Sequence, residues 1–138
     1  MAVDPGLLRT VPLFSGMTDR AIGAVAELAE DVTYPAGHVL VAEGDSGDAF
    51  YILVDGSAAV SRSGAEVATL GPGATLGEIS LVDGRPRTAT VTCTTPVRAV
   101  VIERDGFERL MDGFPPVRLG VLMSLTERIR RDMDTATA

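Results

Sequence analysis

Between residues 32 and 103 the sequence breaks into short β-rich runs, each closed by glycine or a polar turn. The runs are VTY at 32–34, HVLVA at 38–42, AFYILVD at 49–55, SAAVSR at 57–62, EVATL at 66–70, TATVTC at 88–93 and VRAVVIE at 97–103. Asp45-Ser46-Gly47, Asp55-Gly56, Ser63-Gly64, Gly71-Pro72-Gly73 and Asp83-Gly84 punctuate them. Asp-Gly supplies the positive φ angles that tight hairpins require. Many short strands at near-even spacing indicate an antiparallel sandwich or barrel. No repeat period is evident.

Helical patterns flank this zone. Thr18 or Asp19 can cap a helix running through Glu30, with Ile22, Val25, Ala26 and Leu28-Ala29 as its apolar face. Tyr34-Pro35 marks the stop, because proline disfavours the α conformation in the residue before it. After residue 103, Asp105-x-x-Glu108 resembles a capping box opening a short helix that Gly113 ends. Pro115-Pro116 suits the first turn of a longer helix. There Val117, Val121, Leu125, Ile129 and Met133 recur four apart, with Leu122 alongside. This stripe must pack on something: the β zone, a second copy of the chain, or a surface it covers as a mobile lid. Residues 134–138 read as a frayed, disordered tail.

Composition removes several functions. The 138 residues suit one domain with one real core. Hydrophobic residues are 46% and charged residues 22%, so wholesale disorder is excluded. No apolar run approaches the roughly 18 residues of a membrane span, and MAVDPGLLRT does not read as a signal peptide. All 12 basic residues are arginine. Without lysine, neither a Schiff-base enzyme nor a phosphate-loop nucleotidase can be built. The net charge of −7 argues against a general nucleic-acid surface. One cysteine, Cys93, permits no internal disulfide and fits a reducing, cytoplasmic setting. It reads as a small buried strand residue. One histidine, His38, with one cysteine cannot make a typical zinc site. A hydrolase using serine, His38 and an aspartate lacks a recognisable nucleophile turn.

GPGATLGEISLVDGRPRTATV, residues 71–91, interrupts the strand rhythm. Gly71, Gly73 and Gly77 let the backbone turn tightly and approach a ligand. GEISL at 77–81 can form one helical turn whose free N–H groups attract an anion. Nine residues after Glu78 stands Arg87, a residue type suited to bidentate contact with phosphate oxygens. Together they could grip a ligand bearing a phosphate and a hydroxyl. By spacing alone, Arg87 also reads as a surface charge and Glu78 as a turn cap.

GEISLVDGRPRTATV resembles the phosphate-binding cassette of cyclic nucleotide-binding domains: a Gly-Glu pair, a variable stretch, then proline, arginine, a small residue and alanine before a strand. PLFSGMTDRAIGAVAELAEDVTYPAGHVLVAEGD resembles that family's leading helix and first strands. AFYILVDGSAAV resembles the next hairpin. The resemblance covers residues 7–133. It implies a mainly β fold with flanking helices: an antiparallel β-roll, a double-stranded jelly-roll-like barrel, with N-terminal helices and C-terminal hinge and lid helices. It implies that Glu78 accepts a hydrogen bond from the ribose 2′-hydroxyl and that Arg87 pairs with the cyclic phosphate. Backbone amides at Gly77, Ile79 and Ser80 complete the cradle. Thr88, followed by Ala89, adds its hydroxyl to the phosphate or base. Val67 and Leu76 wall the base, and the last helix closes over it near Arg130, Arg131, Asp132 and Met133.

Two departures stand out. Relatives often have phenylalanine where Leu76 stands. The transcription-activator branch continues into a helix-turn-helix domain, and these residues contain no recognition helix and no basic stripe. Arg85 fits the phosphate position less well than Arg87 and reads as exposed. The resulting expectation is a bacterial, cytoplasmic, non-enzymatic sensor of a cyclic mononucleotide, with no cofactor, no metal, no nucleic acid and no membrane span. Its output would lie in an effector protein or domain outside this chain, and a homodimer through the last helix is one arrangement. The alternative is a degenerate interaction module without ligand. In eukaryotic relatives a threonine directly after the phosphate arginine and an acidic residue on the capping helix often accompany cGMP, and Thr88 with Asp132 or Asp134 fits that pattern. Bacterial relatives with a hydroxyl residue at that place commonly bind cAMP, which is the expectation here.

Overall fold

A computed structural model describes residues 2–46, 48–77 and 87–137, with backbone alone at 128 and 131–137. A short helix α1 (Pro5–Leu8) and a 3-10 turn (Pro12–Phe14) lead into α2 (Asp19–Leu28). Eight strands follow among the described residues: β1 (Ala29–Tyr34), β2 (Val39–Val41), β3 (Ala49–Asp55), β4 (Ala58–Arg62), β5 (Ala65–Leu70), β6 (Thr75–Leu76), β7 (Thr90–Cys93) and β8 (Val97–Glu103). Two helices close the fold, α3 (Arg104–Gly113) and α4 (Pro115–Thr137). The strands form two antiparallel four-stranded sheets, ordered β1-β8-β3-β6 and β2-β7-β4-β5.

Two apolar cores follow from strand alternation, since successive side chains point to opposite faces. Phe50, Ile52, Val100 and Ile102 leave the first sheet on its helix side and pack with Leu8, Phe14, Ile22, Val25, Phe107 and Leu110. Leu53, Val97 and Ala99 point the other way, against Leu40, Ala58, Val91 and Cys93 of the second sheet. The latter core is the inside of the roll. Cys93 is buried there at 1% exposure, as its alternating run suggests.

Local signals fixed most boundaries, with informative exceptions. Thr18 Oγ1 accepts from Ala21 N at 3.2 Å, so the cap is where the sequence places it. The helix stops at Leu28 rather than Glu30, because Ala29 and Glu30 pair with Ile102 and Val101 of β8. Ladder pairing has overridden helix propensity there. The capping box at Asp105 does not form. β8 runs to Glu103, α3 starts at Arg104, and its N-cap has no side-chain hydrogen bond. Arg104 N instead donates to the Asp48 carbonyl at 2.9 Å.

Asp55-Gly56 does not close a hairpin, because β3 and β4 lie in different sheets. Gly56, at φ +91, carries the chain from one sheet to the other. A side chain there would stand 2.2 Å from the Pro96 carbonyl oxygen. The hairpin is the next turn: Arg62 pairs with Ala65 around Ser63-Gly64, both with positive φ, as a tight turn of this hand requires.

Among the described residues the stripe on α4 is covered only in its first half. Val117 and Val121 are buried with the helix-side core and Leu125 packs at its edge, whereas Ile129 is 59% exposed.

Candidate functional site

The two-residue strand β6 leads into the glycine-rich segment. It pairs with the middle of β3, Tyr51 opposite Leu76 and Ile52 opposite Thr75. Leu76 points into the roll at 5% exposure. Gly77 follows with φ +97. A methyl group at Gly77 would stand 2.5 Å from the Ala49 carbonyl oxygen and 2.5 Å from Arg87 Nη1. Glycine is therefore required twice, for its backbone angle and for the closeness of the guanidinium.

Arg87 is 7% exposed, one of only two buried polar residues among those described. Three hydrogen bonds tie it to residues 44–49. Its N–H donates to the Asp45 carbonyl at 2.8 Å, and its own carbonyl accepts from Gly44 N at 2.9 Å. Nη2 donates to the Ala49 carbonyl at 2.7 Å. A charge taken out of water at this depth needs partners or an incoming anion. Tyr51 lies close enough to feel it. Burial pushes the Tyr51 hydroxyl upward, the charge of Arg87 opposes that shift, and Asp48 adds to it.

The structure thus brings Leu76, Gly77 and Arg87 together at the end of the roll. Thr88 is exposed and Ala89 half-buried just beyond Arg87, before β7. Val67 lies apart on the edge strand β5 and is 55% exposed. Glu78, Ile79, Ser80 and Arg85 fall outside the described residues, as does the proposed helical turn at 77–81. Asp132 and Met133 belong to α4, and their side chains also lie outside the description.

Sequence reading missed the part played by residues 44–51. Asp45-Ser46-Gly47 was legible as a turn. That the turn holds Arg87, and that the Ala49 carbonyl receives its guanidinium, needs strands far apart in sequence to meet. A cavity of about 610 Å³ opens beside this point, lined by Val32, Tyr34, Ala49, Tyr51 and Val101 and rimmed by Glu30, Asp48, Glu103, Arg104 and Asp105. Among the described residues no group of three or more His, Cys, Asp or Glu side chains could hold a metal ion. No helix among them is long and apolar enough to cross a membrane.

The fold is an antiparallel β-roll with helices packed on one of its sheets. The cyclic nucleotide-binding domain profile matches residues 31–114, and the chain belongs to that family. It is 39% identical over 106 residues to a cAMP-dependent protein kinase regulatory subunit of Aspergillus niger, covering 75% of this chain and 26% of that protein. It is 32% identical over 130 residues to the CRP-like cAMP-activated global transcriptional regulator of Mycobacterium tuberculosis, covering 91% and 58% respectively. The fold superposes on the regulatory domain of Toxoplasma gondii PKA crystallised with cAMP, at TM-score 0.77 and 28% identity, covering 92% of this chain and 48% of that one. The chain therefore spans about a quarter of the kinase subunit and just over half of the transcriptional regulator.

Proposed function

We propose that residues 7–133 form a sensor for a cyclic mononucleotide, with cAMP preferred over cGMP, and that the chain catalyses no reaction. The observation that carries this reading is Arg87: a buried guanidinium, braced by the 44–49 segment and lying against Gly77. A cyclic phosphate there would receive charge-assisted hydrogen bonds in a site that excludes water. Glu78 accepts the ribose 2′-hydroxyl, and the amides of Gly77, Ile79 and Ser80 complete the cradle. Thr88, next to Ala89, offers its hydroxyl, and Leu76 and Val67 bound the base. Asp132 and Met133 approach the base when the end of α4 closes. The cAMP preference is supported by relatives named for cAMP.

Binding acts through α4. Nucleotide must favour one position of the helix, because only a difference in affinity between two states can drive a switch. The effector lies outside these residues. Leu119, Leu122 and Ile129 are each more than half exposed on α4. With Thr126 and Met133 they repeat at alternating steps of three and four, the spacing of a two-helix seam. A second copy of the chain is the proposed occupant. The competing reading, a module that has lost its ligand, is disfavoured because both Glu78 and Arg87 are present.

Calorimetric titration with cAMP and cGMP tests the reading. Arg87→Ala should weaken binding by about 30- to 700-fold, from about 2–4 kcal/mol of lost charge-assisted contact. The 2′-deoxy nucleotide should bind the unmodified chain far more weakly than its parent. Equal binding by wild type and Arg87→Ala would place the site elsewhere.

A further inference from the structure

α4 touches the strands through one polar contact among the described hydrogen bonds: Thr75 Oγ1 and Ser124 Oγ share a hydrogen bond at 3.3 Å. Thr75 is 8% exposed and sits in β6 on the face opposite Leu76. Strand alternation makes β6 two-faced, with Thr75 toward α4 and Leu76 toward the roll interior. One residue further on is Gly77, against Arg87. The pair therefore joins the helix to the two residues that lead into the proposed phosphate site.

Its place along the helix also matters. Val117 and Val121 are buried and Leu125 is partly so, but Ile129 is exposed. Ser124 stands where α4 leaves the body of the protein. After Leu125, which packs at the edge of the core, Ile129 is exposed, and Val67, the proposed far wall of the base site, is open as well. Bringing the end of α4 over that wall requires the helix to turn about its buried start at Val117, which carries Ser124 away from Thr75. A hydroxyl pair at 3.3 Å is already longer than the usual 2.7–2.8 Å for such bonds. It would not survive a swing of several ångströms.

Resting on the reading of residues 71–91 as a cyclic nucleotide site, we infer that Thr75 and Ser124 form a latch that holds α4 open. Ligand binding draws on Leu76 and Gly77 from one face of β6 while the latch draws on Thr75 from the other. Closure of the helix breaks the latch, so part of the binding free energy is spent on it. Removing the latch removes that cost. Thr75 and Ser124 are thus positioning residues that set affinity without touching the nucleotide.

The test uses the full chain with Thr75→Val, which keeps side-chain shape, Thr75→Ser, which keeps the hydroxyl, Ser124→Ala, and the Thr75→Val/Ser124→Ala double variant. Titration with cAMP should give tighter binding for Thr75→Val and Ser124→Ala by about two- to tenfold, the worth of one net hydrogen bond. The double variant should be no tighter than either single variant, because the same bond is lost. Thr75→Ser should bind as wild type. Without nucleotide, hydrogen exchange at residues 122–130 should be faster in Thr75→Val and Ser124→Ala than in wild type and Thr75→Ser. Unchanged or weakened cAMP affinity in both single variants, with normal wild-type binding, overturns the latch. So does unchanged exchange in the free protein. Absence of cyclic nucleotide binding by wild type, with exchange altered as stated, overturns the site reading and leaves only the contact between β6 and α4.

Discussion

Gly77→Ala is the sharpest test of the site's construction. The backbone at 77 has φ +97, which a side chain disfavours by about 1–2 kcal/mol. The added methyl would lie 2.5 Å from the Ala49 carbonyl oxygen and 2.5 Å from Arg87 Nη1. Ala49 is held in the β3–β8 ladder opposite Glu103, so its carbonyl cannot retreat freely. The guanidinium must give way, and overpacking of this kind costs about 1–3 kcal/mol. Reduced freedom of the unfolded chain returns about 0.4–1 kcal/mol. The net loss is about 1.5–4 kcal/mol, or roughly 5–14 °C in Tm for a chain of this size. Differential scanning calorimetry measures the first effect and titration with cAMP the second, which should fall together. In an Arg87→Ala background the methyl meets one obstacle fewer, so Gly77→Ala should cost less there than in wild type. A Gly77→Ala chain melting within about 2 °C of wild type and binding cAMP equally would refute the close packing of Gly77 on Arg87.

Other substitutions probe the scaffold. Gly23 sits inside α2 with open space around its Cα, so Gly23→Ala should stabilise the protein by about 0.5–1 kcal/mol in chemical denaturation. Arg98 forks onto Asp31, with Nε to Oδ1 at 3.0 Å and Nη2 to Oδ2 at 2.6 Å, and these bonds hold the Asp31 carboxyl below its ordinary value of 3.8. A carboxyl depressed in the folded state stabilises above its unfolded pKa and loses that contribution as pH falls through the folded one. The stability gap between wild type and Asp31→Asn should therefore be constant above pH 3.8 and close below it, as read from urea midpoints. Burial pushes the Cys93 thiol up, so iodoacetamide at pH 8 should label it slowly in the folded chain and quickly in denaturant. Equal rates would show that the roll interior is open.

The sequence by itself determined the class of fold. The strands at 49–55 and 97–103 stand where their β-rich runs put them, because each is bounded by local turn chemistry. Gly77, Glu78 and Arg87 were legible as a set, since residue type and spacing within one segment carry that information. Which sheet each strand joins was not legible. Asp55-Gly56 reads as a hairpin in isolation, and only the partners of β3 and β4 make it a passage between sheets. Strand β6 was missed because two residues carry no period; it exists through its bonding to β3. Glu30 left the helix for the same reason, captured by β8. Most of all, the bracing of Arg87 by Asp45 and Ala49 depends on residues about 40 positions away in sequence. Hydrogen bonds of that reach form only after the chain has collapsed and the ladders have set the register, so no local pattern encodes them. The tertiary structure decided that Arg87 is buried among fixed acceptors.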